Sequence, residues 1–311
     1  MAGRILVTGA SGFVGRALVA DLANAGHPVR AAMRQPADIF ARSVEVVAVS
    51  DLTRPVEWRA LLKGVETVVH LAGIAHAGPE IAEQAYDRVN RLATAELAET
   101  AQRMSVQRLV FASSIRAQCG PVASSVLDES HAPQPTDAYG RSKLAAEEAI
   151  RDSNVPYTIL RPVLIYGPGV KGNMARLATW ARTPWPLPFG SFSNRRSILA
   201  RQNLIEAIHF SLRTPATLGE TYTVADPEPL TLAQIIAALR AGYGRPPALL
   251  PIPRAPIGAT LKAIGKAEIW DRLAGELVVS PSKLIRAGWL PPVRSLEGLA
   301  AMARADRDVQ H

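Results

Sequence analysis

Short apolar runs rich in β-branched residues recur along the first half of the chain, at 4–8, 28–33, 44–49, 65–71, 107–112 and 156–161. Their length suits strands buried on both faces. Between most of them lie alanine-rich stretches with helical spacing, such as Tyr86–Met104 and Ser142–Ser153. Strand alternating with helix predicts an α/β fold, a doubly wound parallel sheet covered by helices on both faces, over residues 1–168. From about residue 168 prolines punctuate the chain, in Thr183-Pro184-Trp185-Pro186-Leu187-Pro188-Phe189-Gly190 and Arg245-Pro246-Pro247. These mark loops, and predict a smaller C-terminal lobe over 169–311, with some segments returning to the first domain. The apolar positions of two helical stretches there, Thr231–Ala241 and Ala255–Leu273, are read as core rather than as membrane-surface faces.

The first apolar run passes directly into Thr8-Gly9-Ala10-Ser11-Gly12-Phe13-Val14-Gly15, followed by a helical pattern through Ala25. Strand, glycine turn and helix in that order make a phosphate cradle. Gly9 and Gly12 permit the tight turn, Gly15 lets the helix pack on the strand, and the helix start offers unpaired N–H groups. Gly9, Ser11, Gly12, Phe13, Val14 and Gly15 are therefore candidate cofactor contacts, and the domain is read as Rossmann-type and dinucleotide-binding. An acid at the end of the second strand selects NAD and a base selects NADP. Here Met33 stands where the acid is expected and Arg34 follows, which favours NADP over NAD.

At 311 residues the chain buries an ample core without disulfides, and its single cysteine, Cys119, excludes a disulfide framework. Ile5-Leu6-Val7 runs straight into the glycine loop, so no signal peptide is read, and no apolar stretch approaches the roughly 18 residues of a membrane helix. A soluble, cytoplasmic protein without a membrane partner is expected. The net charge of +8 allows an anionic partner, but its positive residues are dispersed, with 5% aromatics and no basic run interleaved among them. Nucleic acid is not expected; a nucleotide diphosphate accounts for part of the charge.

Tyr139 and Lys143 are four positions apart on a predicted helix, so a phenol and an ammonium share one face. A nearby cation favours the phenolate and lowers a phenol pKa of about 10 by roughly 1–3 units. Strand 107–112 ends in Ser113-Ser114, and ligands bind beyond the carboxyl ends of such strands. Ser114 is the candidate to share a substrate oxygen with Tyr139, and Ser113, on the other face, is the second choice. The six histidines show no metal-ligand spacing, and no metal is expected.

Thr8-Gly9-x-x-Gly12-x-x-Gly15, Asp51-Leu52, His70-Leu71-Ala72-Gly73, Ser113-Ser114, Tyr139-x-x-x-Lys143 and Leu160-Arg161-Pro162-x-x-x-Tyr166-Gly167-Pro168 together resemble the ordered motifs of the extended short-chain dehydrogenase/reductases. Arg195–Leu204, Ser282-Lys283 and Gly288-Trp289-Leu290-Pro291-Pro292 are similar to the substrate-lobe signatures of nucleotide-sugar epimerases, dehydratases and 4-ketoreductases. The resemblance implies that Asp51, with Leu52 beside it, meets the adenine. Leu71, Ala72 and Gly73 line the pyrophosphate and ribose, Lys143 holds the ribose, and the backbone after Pro162 holds the carboxamide. It also implies that Asn173 reaches the substrate's nucleotide and that Arg196 and Arg272 clamp its diphosphate; His76, just beyond the Ala72-Gly73 turn, is a candidate sugar contact by position. Gln202, where the family commonly has aspartate, and Ser280-Pro281-Ser282-Lys283 depart from the pattern and leave substrate orientation open.

The activity so implied is hydride transfer at carbon 4 of a UDP- or dTDP-linked sugar, by a 4-epimerase or a 4-ketoreductase, in a homodimer. Chain length, Arg34 and Ser-Ser-Ile115-Arg116 tilt the reading toward the ketoreductase. A dehydratase is disfavoured, because Ile115 and Arg116 stand where an Asp-Glu pair is expected and Asp128-Glu129 lie in the following loop. The alternatives are an NADP-dependent reductase of a non-nucleotide ketone or aldehyde, of dihydroflavonol reductase type, and a non-catalytic cofactor-sensing protein.

Overall fold

The structure is a computed structural model that describes residues 3–75, 81–263, 265, 270 and 273–308. Six parallel strands, β1 (Arg4–Thr8), β2 (Val29–Met33), β3 (Glu45–Ala48), β4 (Val65–His70), β5 (Arg108–Ala112) and β6 (Tyr157–Pro162), are joined in register. Glu220–Val224 adds a seventh strand outside β6, giving the order seventh-β6-β5-β4-β1-β2-β3. The chain starts in the middle of the sheet, builds one half outward and then returns for the other. That reversal beside β1 is the switch point of a Rossmann-type sheet, where ligands bind. The expected α/β class is thus the observed one.

The central strands bury nearly every side chain: Leu6, Val7, Ala31, Val68, Val69, Leu109 and Phe111 are fully enclosed. Continuous apolar runs of this kind need cover on both faces. α1 (Gly15–Asn24) buries Leu18, Val19 and Leu22, while Leu97, Ala101, Ala146 and Ile150 join the core from two later helices, α4 (Ala93–Arg103) and α5 (Ala138–Asp152). α5 starts four residues before the helical spacing predicts. Asp137 causes this, because its carboxylate accepts from the Gly140 N–H at 2.7 Å and caps the helix. Tyr139 therefore sits in the first turn.

The predicted helix 86–104 is broken into three parts. α3 (Glu83–Tyr86) leads into a π-helical turn, Asp87–Leu92, before α4 begins. A π turn inserts one residue into the helical repeat, which apolar spacing does not reveal, and such turns concentrate at functional sites.

The chain forms two compact units. The first comprises the residues up to Gly120, Ala132–Arg161 and Ala207–Tyr222; the second comprises Pro121–His131, Pro162–Glu206 and the residues from Thr223 on. In the first, the Ala207–Tyr222 segment is tied in by Arg108, which donates to the Thr214 carbonyl (3.1 Å) and Thr217 Oγ1 (3.2 Å), and by Thr158, which donates to the Thr217 carbonyl (2.8 Å). The second unit packs Tyr166, Met174, Ile198, Leu239, Leu299 and Met302 around a buried carboxylate. Asp226 there accepts from Asn203 Nδ2 (2.6 Å), Ser295 Oγ (2.9 Å) and the Ala200 N–H (3.1 Å). No helix among the described residues is long and apolar enough to cross a membrane.

Candidate active site

Gly9 adopts a φ of +67°, and a Cβ there would lie 2.8 Å from the Ala72 nitrogen. The loop after β1 therefore lies against the turn after β4, and only glycine fits. A Cβ on Gly15 would sit 2.2 Å from the Gly9 carbonyl oxygen, so the start of α1 also presses on the loop. The Gly12 N–H donates to the Gly9 carbonyl (2.9 Å), leaving the loop curled around the α1 N-terminus. Curled backbone, close approach and a helix N-terminus fit a dinucleotide pyrophosphate.

Beneath the cradle runs a buried hydrogen-bond chain absent from the sequence expectations. Thr8 Oγ1 accepts from the Ala72 N–H (3.2 Å) and is hydrogen-bonded to His70 Nδ1 (2.7 Å). The other ring nitrogen, Nε2, is hydrogen-bonded to Thr94 Oγ1 (3.0 Å). Burial, reinforced by the charge of Lys143, pushes His70 down to about 3, consistent with a neutral ring. One imidazole thus locks β1, β4, α4 and the Leu71–Ala72 turn together.

At the carboxyl ends of the strands, Ser114 and Tyr139 are hydrogen-bonded to each other. Ser114 follows β5 and is buried; its Oγ also accepts from the Arg116 N–H (3.1 Å), capping the short 3₁₀ turn Ile115–Ala117. Arg116 in turn pairs with Asp137 at 2.6 Å. Gly140 makes the docking possible, since a Cβ there would come within 2.3 Å of the Arg116 carbonyl oxygen. Every link in this set holds the first turn of α5 against the end of β5.

Burial lifts the Tyr139 phenol above its ordinary value, and the Ser114 hydrogen bond is the strongest opposing contact, with Arg116 a weaker one. Lys143, one turn on, donates from Nζ to the Ala112 carbonyl (2.8 Å) and lies 4.4 Å above the Phe111 ring. The phenol thus ends above its ordinary value, the reverse of the lowering expected from Lys143, because Ser114 and Arg116 only partly oppose the effect of burial. Burial brings Lys143 itself down to about 8, with Glu147 pulling the other way.

Asn90, in the π turn, was not among the expected site residues. Its Oδ1 accepts from the Ile74 N–H (2.8 Å), and its Nδ2 donates to the Ile74 carbonyl (3.0 Å) and to Ser142 Oγ (3.0 Å). A Cβ on Gly73 would lie 2.8 Å from Asn90 Oδ1 and 3.8 Å from Lys143 Nζ. Asn90 thus staples the Gly73 turn to the helix of Tyr139 and Lys143. Its signal was present: an amide four residues after buried Tyr86 and three before buried Ala93, on an otherwise apolar stripe.

Ser113 belongs elsewhere. Its hydroxyl donates to Glu147 Oε1 in a buried cluster where Arg161 meets both Glu147 oxygens (2.9 and 2.7 Å) and Gln118 Oε1 (3.0 Å). Arg34 and Asp51 stand exposed just beyond β2 and β3, Asp51 held below the usual carboxylate range by Thr53 first, with Arg34 contributing. Leu52 is buried beside it. In the second unit Pro162 closes β6 and is buried, and Asn173 is exposed at the start of Gly172–Arg182. Arg196 donates to the carbonyls of Gly275 (3.0 Å) and Pro121 (2.9 Å), so any role in holding a diphosphate has to share that guanidinium. His76 and Arg272 lie outside the described residues.

Doubly wound sheet, glycine cradle and a Ser-Tyr-Lys set at the strand ends define an extended short-chain dehydrogenase/reductase. The chain belongs to the NAD dependent epimerase/dehydratase family, whose model matches residues 5–225. It is 32% identical over 314 residues to the UDP-glucose 4-epimerase of Vibrio cholerae, covering 97% of this chain and 94% of that one. Similarity to the ceramide reductase of Caulobacter vibrioides reaches 29% over 295 residues, 93% of this chain and 86% of that one. Among solved structures, the UDP-glucuronic acid 4-epimerase of Bacillus cereus in complex with NAD shares the fold, with a TM-score of 0.76, 21% identity and 99% coverage of both chains.

Proposed function

We propose that this protein is an NAD(P)-dependent enzyme acting by hydride transfer at carbon 4 of a nucleotide-diphosphate sugar, with 4-epimerisation as the leading outcome. The observation that carries the reading is the Ser114–Tyr139 hydrogen bond, with Lys143 one helical turn away and the glycine cradle on the same edge of the sheet. Likeness to an epimerase along 97% of the chain favours epimerisation over the ketoreduction that the sequence alone tilts toward. When bound, a nicotinamide would supply reversible hydride exchange with carbon 4. Gly9, Gly12, Gly15 and the α1 N-terminus would hold its pyrophosphate, Gly73 and Lys143 its ribose, and Asp51 and Arg34 would border its adenosine.

Tyr139 takes the proton of the sugar's 4-hydroxyl as the carbon–hydrogen bond breaks, and returns it when the ketone is reduced on the opposite face. Ser114 donates to the same oxygen and supports the phenolate. Lys143, protonated below about pH 8, adds a positive field one turn away. Asn90 holds the turn and helix in register. Arg34, with Met33 in the acid's place, favours NADP(H), and titration with both reduced cofactors tests it: a clearly tighter NADH complex removes the preference. Asn173, Arg196, Arg272 and His76 remain the candidates for the substrate's nucleotide, diphosphate and sugar, and the chain is proposed to act as a cytoplasmic homodimer.

The similarity to a ceramide reductase favours a second reading, reduction of a non-nucleotide ketone. A screen of UDP- and dTDP-sugars and their 4-keto forms, with cofactor absorbance recorded, separates the two. Sugar interconversion without net cofactor consumption supports the epimerase; stoichiometric NAD(P)H oxidation by a 4-keto sugar supports the ketoreductase. If UDP and dTDP at millimolar concentration leave the melting temperature of the cofactor complex unmoved, the nucleotide-sugar reading fails.

A further inference from the structure

The positive residues of this chain are dispersed, but its acids are not. Residues 153–205 and 229–267 contain twelve lysines and arginines and not one aspartate or glutamate. Since the whole chain carries +8, the remaining residues hold four more acids than bases. The basic excess is thus segregated, and both stretches lie mainly in the second unit.

Part of that excess is internally spent. Arg182 pairs with Asp306 (3.4 Å) and Arg195 with Glu276 (3.3 Å), while Arg254 donates to the Ala274 carbonyl and covers Phe192. Lys171 and Arg176, by contrast, are exposed on and just before α6 (Gly172–Arg182), and Arg245 is half-exposed in the Arg245-Pro246-Pro247 loop. The exposed side of α6 carries Asn173, Arg176 and Trp180 at successive helical turns, and leads into Pro184-Trp185-Pro186, all three exposed. Trp185 is 72% exposed.

This loop is held from beneath. Buried Arg240 donates to the carbonyls of Thr183 (3.2 Å), Trp185 (3.2 Å) and Pro246 (2.7 Å), joining the two proline loops. Leu187 and the 248–250 segment exchange backbone hydrogen bonds of 3.0 and 2.8 Å, which sets exposed Leu250 beside the same loop. Trp180 stacks on Phe189 with ring centroids 5.7 Å apart. A tryptophan fixed between two prolines beside exposed lysine and arginine, with Asp306 already paired to Arg182, suits a bilayer interface, where amphipathic rings sit at headgroup depth and cations meet lipid phosphates.

We propose that this edge of the second unit is a docking surface for an anionic lipid bilayer, with Trp180, Trp185 and Leu250 entering the headgroup layer and Lys171, Arg176 and Arg245 meeting lipid phosphates. The surface is peripheral and needs no spanning helix. It uses none of the residues assigned to hydride transfer, so it stands or falls separately from that chemistry.

The test is flotation of the full chain with vesicles of phosphatidylcholine, alone or mixed with phosphatidylglycerol, while tryptophan emission is recorded. The phosphatidylglycerol vesicles are expected to bind at least about tenfold more strongly, to lose that advantage in high salt, and to shift the emission to the blue. Arg176→Glu is expected to weaken partitioning about tenfold or more, at roughly fivefold per elementary charge. Trp185→Ser is expected to weaken it by about tenfold, and Trp185→Tyr to restore it, with melting temperature and cofactor binding unchanged in all three. Equal binding to both vesicle types overturns the proposal, as does undiminished binding of Arg176→Glu and Trp185→Ser. It is overturned equally if duplex DNA displaces the vesicles and binds Trp185→Ser as well as the parent, for that result indicates attraction to any polyanion.

Discussion

Removing only the phenolic oxygen, Tyr139→Phe leaves the glycine cradle and Lys143 untouched, so cofactor affinity should stay near the parent's while turnover falls about 10²–10⁴-fold. Steady-state rates beside a cofactor titration check this, and near-normal turnover ends the assignment. His70 offers a test at the same scale through pH. Its folded value of about 3 lies below the ordinary 6.5, so between those limits the unfolded chain binds a proton that the native ring refuses. Stability therefore rises with pH across that window and is lost on acidification. Melting temperature against pH should fall less steeply from 6.5 toward 3 in His70→Gln than in the parent; parallel curves would show that His70 does not set the acid limb. That Ser114, Tyr139 and Lys143 meet at the strand ends was legible from their spacing and from the strand that ends at Ala112. The chain through Thr8, His70 and Thr94 was not, since it joins residues up to 86 positions apart by contacts that no local pattern encodes.

Gly140 and Glu147 are the points at which α5 is most exposed to failure. Gly140→Ala forces a methyl against the Arg116 carbonyl and should cost about 1–3 kcal/mol, read as a lower melting temperature together with lost turnover, because the helix start carries Tyr139. Glu147→Ala leaves Arg161, which is 4% exposed, without its carboxylate, and is expected to destabilise by about 3–5 kcal/mol in chemical denaturation. A loss below about 1 kcal/mol would mean that Gln118 alone satisfies the guanidinium. The first six strands were readable to within a residue or two, because fully buried strands are unbroken apolar runs, whereas the half-polar seventh, Glu220–Val224, was missed. Helix starts were less so: α5 is set by the Asp137 cap, and the π turn by what Asn90 reaches across to hold.

Across the whole molecule, the parallel sheet followed from the alternation of runs, whereas its strand order, its switch point and the path of the chain between its two units did not. Ala207–Tyr222 returns to the first unit through Arg108, Thr158 and Thr217, polar contacts that leave no periodic trace. A chain stopped after Glu206 should therefore lack a cooperative melt of the first unit by circular dichroism, and a sharp transition in that fragment would show the return to be dispensable. The same return has a bearing on biosynthesis. Translation must run through Val224 before β6 gains its outer neighbour. Until then the nascent sheet presents an open, apolar strand edge to the crowded surroundings of the exit tunnel. Slow translation through 162–206 prolongs that exposure, so the yield of folded protein should depend on codon speed there and on chaperones that shield strand edges.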